Sequence, residues 1–206
     1  MALWGKTHDS VSNKPKFLPD DNNSKYDITN AYATNSGWVM KAGAATGNGR
    51  STAQPEVLVA IKGLAGATAT TGLKLPTMTR FRVLKKLDHG TSGNIEFEIN
   101  YDEQVEVKSS GTAATIALDA ASGTSDDCVA TLISLDGTAF AAGVKGSTLL
   151  FRATSGAATT YSIVDNVSMT DPDMKDAVSG QDLDTAGIQF TSATKTAIGV
   201  TTIVIA

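Results

Sequence analysis

TRFRVLKKLDHGTSGNIEFEINYDEQVEVKS (Thr79–Ser109) decides the fold class. Phe81 and Val83 alternate with Arg80, Arg82 and Lys85. Further on, Ile95, Phe97, Ile99 and Tyr101 alternate with Glu96, Glu98 and Asn100. A period of two over that length belongs to strands with one buried and one wet face. Asp88-His89-Gly90 and Ser92-Gly93-Asn94 supply residues that tolerate turn dihedrals, so the stretch predicts a β-hairpin. Arginine and lysine on one arm and glutamate on the other suit cross-strand ion pairs.

Downstream, the pattern of strand, turn and strand repeats. Thr112–Leu118, Asp127–Leu135, Ala139–Val144, Ser147–Thr154, Thr159–Asp165, Ile188–Phe190 and Val200–Ile205 read as strands, with Asp136-Gly137 a strong turn signal. The closing VTTIVI segment requires pairing within a sheet or between subunits, because an open apolar edge aggregates. Upstream, Glu56–Leu64 (EVLVAIKGL) is apolar on both faces and reads as a central strand with Thr77–Lys86 as its neighbour. Thr170 followed by Asp173, with Gly180 beyond, predicts one short helix near residues 171–178. The expectation is an all-β chain, an antiparallel sandwich or open barrel, over residues 55–206.

Residues 1–54 differ. They hold no sustained period, yet they contain Trp4, Phe17, Tyr26, Tyr32 and Trp38, including both tryptophans of the chain. A solvated linker is normally poor in aromatics. The segment therefore reads as an extended arm whose rings dock in grooves of its own domain or of a neighbouring subunit. Those five residues are the candidate interface. Gly37-Trp38-Val39-Met40 reads as a short strand, and Ala42–Thr52, with Gly43, Gly47 and Gly49, then reads as a flexible joint.

The composition narrows the function. In 206 residues the formal charge is -4, which gives no basic face for nucleic acid. No apolar run reaches the roughly 18 residues of a membrane helix, and the first residues carry no signal-peptide core. Cys128 stands alone, so no disulfide staples the chain, and within CVATLISL it reads as a buried thiol. Asp171, Asp173, Asp176, Asp182 and Asp184 are the metal-like constellation. A calcium loop needs alternating oxygen ligands and a glycine at the sixth place, where Lys175 and Asp176 intrude. Calcium between Asp171 and Asp184 stays open, but no metal site is assigned.

Asp102, Glu103 and Glu106 lie in a charged run that reads as a solvated strand face. GAATGNG (Gly43–Gly49) lacks the lysine and helix of a phosphate loop, and no nucleophile elbow occurs. No catalytic residue and no cofactor are assigned, and the chain is expected not to be an enzyme.

MALWGKTHDS and NKPKFLPDD, followed by YATNSGWVMK, resemble the start of small virion structural proteins of marine tailed phages, including the T4-like phages of cyanobacteria. The resemblance covers roughly residues 4–41. It implies a non-enzymatic particle component, present in multiple copies or as a homo-oligomer and bound to the major capsid protein or other virion proteins. Such a component would be made in the host cytoplasm and located in the virion. Two roles follow: a capsid decoration or cementing protein strapped on by the arm, or a tail, neck or baseplate component ringed through sheet edges. A carbohydrate-binding module is a minor alternative, since Tyr101 and Tyr161 read as inward-facing or isolated.

Overall fold

The computed structural model describes residues 30–44, 50–66, 72–85, 94–108, 112–121, 123, 127–154, 160–165, 167–170 and 174–204. The chain is all-β with only two short helices among these residues. It divides into two compact units. One comprises Met1–Pro76 with Asp102–Gln104 and Asp176–Gln181; the other comprises Thr77–Tyr101, Val105–Lys175 and Asp182–Ala206.

In the first unit, β1 (Ala31–Thr34) and β2 (Gly37–Met40) form an antiparallel pair, and β3 (Glu56–Ala60) pairs with β2. Asn35 and Ser36 make the turn between β1 and β2. Their carbonyls accept the amides of Gly63 and Ile61 at 2.7 and 2.9 Å. Gly37 sits at φ +129, and a Cβ there would lie 2.0 Å from the Val59 carbonyl, so the close approach of β3 requires glycine. Trp38 is fully buried among Ala33, Leu64, Ala65 and Leu73.

The second unit begins with β4 (Met78–Lys85) and β5 (Asn94–Val107). Next come β6 (Thr115–Ala120), β7 (Cys128–Leu135), β8 (Thr138–Ala139), β9 (Lys145–Thr154) and β10 (Thr160–Ile163). The set closes with β11 (Val167–Ser168), β12 (Met174–Asp176), α1 (Thr185–Ile188), β13 (Gln189–Phe190), α2 (Ser192–Ile198) and β14 (Ile203–Val204). The main sheet is antiparallel in the order β4-β5-β9-β7-β6-β10-β14.

The predicted hairpin pairing is present, with Phe81 opposite Ile99 and Val83 opposite Phe97. Its expected turn at 88–93 lies outside the described residues. Phe97 also faces Phe151 on β9, with the rings stacked at 5.6 Å, while Phe81 packs on Phe97 at 5.2 Å. The wet face carries the expected ion pair, Arg82 to Glu98 at 2.6 Å, and a second pair, Arg152 to Glu96 at 2.6 Å.

Between β7 and β8, Asp136 (φ 48) and Gly137 (φ 79) form the tight turn. The Asp136 carboxylate accepts the Ser147 and Thr148 amides at 3.2 and 2.9 Å. The closing segment is paired within the sheet, with Ile203 opposite Tyr161.

Several expectations need correction. The helix near 171–178 is absent from the described part of that span: Met174–Asp176 is strand, and 171–173 lie outside the described residues. The Asp176 carboxylate takes the amides of Val178 and Ser179, at 2.8 and 3.1 Å, giving the backbone a turn that competes with helix. Helices start instead where a side chain caps free amides: Asp184 on Ala186 and Gly187, and Thr191 on Thr194.

Nor is β3 central. Among the described pairings it ends its sheet, paired to β2, and Val57 is 55% exposed. Its neighbour is therefore β2, while β4 pairs with β5. The units also divide the chain differently from a boundary at 54/55, since β3 pairs with β2 and Leu64, Ala65 and Leu73 complete the Trp38 cluster.

Candidate functional site

Of the five candidate interface residues, Trp4, Phe17 and Tyr26 lie outside the described residues. Tyr32 and Trp38 sit on β1 and β2 and are both buried, Trp38 within the core of its own unit. The Trp38 Nε1 has no hydrogen-bond partner among the described residues. The Trp38 ring holds the local hairpin to the small core of Ala33, Leu64, Ala65 and Leu73. Part of the proposed joint, 45–49, is also outside the described residues.

Tyr101 and Tyr161 are fully buried, and the Tyr101 hydroxyl donates to the Gly187 carbonyl at 2.6 Å. Neither offers the exposed ring that a sugar platform needs. Cys128 is half-buried rather than buried, and burial, then the nearby Asp127, pushes its thiol up to about 11. It is a poor nucleophile at neutral pH.

Of the aspartates singled out, Asp171 and Asp173 lie outside the described residues. Asp176 is fully buried and engaged by its turn. Asp182 pairs with Lys108, and Asp184 caps α1. Among the described residues, no group of three or more His, Cys, Asp or Glu side chains is placed to hold a metal ion. No helix of the described residues is long and apolar enough to cross a membrane.

The chemically unusual residue is Glu103. Far from lying on a solvated face, it is fully buried, with Asp102 also buried beside it. Glu103 stands opposite Ala33 of β1 in a parallel bridge, and its Oε2 accepts the Gly66 amide at 3.1 Å. Its Oε1 is buried with no hydrogen-bond partner among the described residues.

Burial foremost, then the Asp102 and Asp176 carboxylates, push its pKa up from 4.5 to about 8 against the lowering effect of the Gly66 amide. It therefore holds its proton at neutral pH. Glu106 contrasts with it. Burial raises its pKa, but the ammonium groups of Lys145 and Lys175, at 3.1 and 3.3 Å, outweigh that and hold it below the ordinary carboxylate value.

A signal for Glu103 was present in the sequence. The inward parity that runs through Ile95, Phe97, Ile99 and Tyr101 continues to Glu103, Val105 and Val107, all buried. An acid on that parity has nowhere to go but inside.

In comparisons with known proteins, no family model matches the chain, and no curated protein or solved structure matches it either.

Proposed function

We propose that the chain is a non-enzymatic structural component of a virion, most specifically a capsid decoration or cementing protein bound to the major capsid protein. It is made in the host cytoplasm and carried in many copies on the particle. The observation that supports this reading is the N-terminal sequence, where Trp4, Phe17 and Tyr26 stand isolated in polar chain that resembles the start of marine-phage virion proteins. Aromatic rings buried at an interface are the usual energetic anchors, each often worth about 2 kcal/mol or more on truncation. With Tyr32 buried and Trp38 packed in its own unit, the strap rests on the first three rings.

The second reading is a tail, neck or baseplate component joined through strand edges. It is favoured by β3 and β14, which end their pairing orders among the described residues and carry exposed Val57 and Val204.

Co-sedimentation with particles lacking the protein tests the strap. Trp4→Ala and Phe17→Ala should weaken attachment without altering the melting of the free chain, and labelling of intact particles should mark the shell. Attachment as tight as the parent's removes the strap. A label confined to the tail turns the assignment to the second reading, and no label on any particle removes both.

A further inference from the structure

Glu103 is a fully buried acid on β5. Its carboxyl is fully enclosed, with one donor on Oε2 and none on Oε1 among the described residues. Among the described residues, four elements supply the groups around it. On β1 the facing residue is Ala33, which carries no charge. On β5 itself Asp102 adjoins it, and from the end of β12 Asp176 acts on it, both as anions. The fourth is the Leu64–Gly66 segment, which contributes an amide and no titratable side chain.

That segment is held in a particular way. Leu64 and Ala65 are buried in the Trp38 cluster, and the Leu64 carbonyl accepts the Leu73 amide at 2.7 Å. Gly66 sits at φ +113, a conformation that favours glycine, with its amide donated to Glu103. The Glu103 carboxyl thus serves as a peg under the segment.

We propose that Glu103 is a proton-operated latch: protonated, it is a neutral peg over which the Leu64–Gly66 segment closes, and ionised, it is an anion facing two others, from which the segment opens to water. The proton passes to bulk water or buffer. An enclosed carboxylate with one donor and two anionic neighbours is much less stable than the same group in solvent. Ionisation strengthens the Gly66 hydrogen bond, but one stronger bond does not offset enclosure beside two like charges.

The sign follows from the two states. In the open segment the carboxyl has its ordinary value near 4.5, and in the closed one it titrates at about 8. The closed state is therefore fully favoured below the lower value and loses ground as pH rises towards the upper one. Over the interval between them, the opening equilibrium grows about tenfold per pH unit, then levels off.

The test uses the full chain. Exchange of the Gly66 amide is followed from pH 5 to 9, corrected for intrinsic base catalysis and compared with the Phe97 amide, while the Glu103 carboxyl is titrated by carbon-13 NMR. The expected result is a rise in Gly66 opening of about tenfold per pH unit between roughly pH 5.5 and 7.5, without a matching rise at Phe97. Glu103→Gln, which does not titrate, should flatten the profile, and Asp102→Asn should move the Glu103 titration downwards. If Glu103→Gln does not fold, the parent titration and Asp102→Asn decide. A Glu103 carboxyl titrating near 4.5, a flat corrected Gly66 profile, or an unchanged slope in Glu103→Gln would each overturn the latch.

Discussion

Glu103 and Glu106 are three residues apart on one strand, yet the two regions around them treat a carboxylate in opposite ways. Around Glu106, in the unit of the large sheet, two lysines meet the charge. Around Glu103, in the unit of the β1–β2 hairpin, two aspartates oppose it and one amide is offered. The larger core has stacked phenylalanines and wet-face charges in pairs, whereas the smaller one closes over a single tryptophan and an acid. A large apolar core can keep its ionisable groups at the rim, while a small one has too little apolar surface to exclude every polar side chain.

The largest effect expected is that of Phe97→Ala, which leaves a hole between Phe81 and Phe151. It should cost about 3–5 kcal/mol in denaturant unfolding. Trp38→Ala should cost about 3 kcal/mol in the same measurement, because its ring is enclosed by its own unit. If the free chain melts unchanged without that ring, Trp38 belongs to an interface after all and the contrast between the cores fails. Asp184→Ala removes the acceptor of two first-turn amides of α1 and should cost about 1 kcal/mol.

The acid limb sharpens the contrast further. Glu106 contributes stability that is present above its unfolded value of 4.5 and is lost as pH falls through its lowered folded value. Glu106→Gln should therefore remove part of the acid slope of a melting-temperature profile, the mirror image of what is expected for Glu103. The smallest effect is that of Glu98→Gln, whose partly exposed pair with Arg82 should be worth no more than about 0.5 kcal/mol. A loss as large as that of Phe97→Ala would mean that the two faces of β5 are wrongly assigned.

The second unit was the more legible in sequence, since its strands carry one apolar face and the alternation survives as a period of two. The first was harder to read. β1 and β2 are four residues each and buried at nearly every position, so they leave no alternation to detect. The short strand at Gly37–Met40 was legible and is present as β2, but Trp38 read as an anchor of an extended arm when it was the centre of a small core. Glu103 was hidden by its residue type, because Asp102, Glu103 and Glu106 together read as a wet run, although parity pointed to Glu103 as inside and Asp102 is buried against parity as well. The helix expected at 171–178 had a cap signature, but the Asp176 carboxylate claims the Val178 and Ser179 amides that a helix would have used.

The position of β5 between β4 and β9 also has a consequence for the order in which the sheet is made. Its pairing with β4 is available as soon as Val107 has left the ribosome, but the residues that cover its other edge begin at Lys145. At about 5–20 residues per second, roughly forty residues of waiting amounts to about 2–8 seconds. During that interval the hydrogen-bonding edge of β5 away from β4 lacks the β9 backbone that closes it. A nascent chain halted in that window exposes a long unpaired strand, and pausing near residue 145 should make aggregation most sensitive to how fast translation resumes.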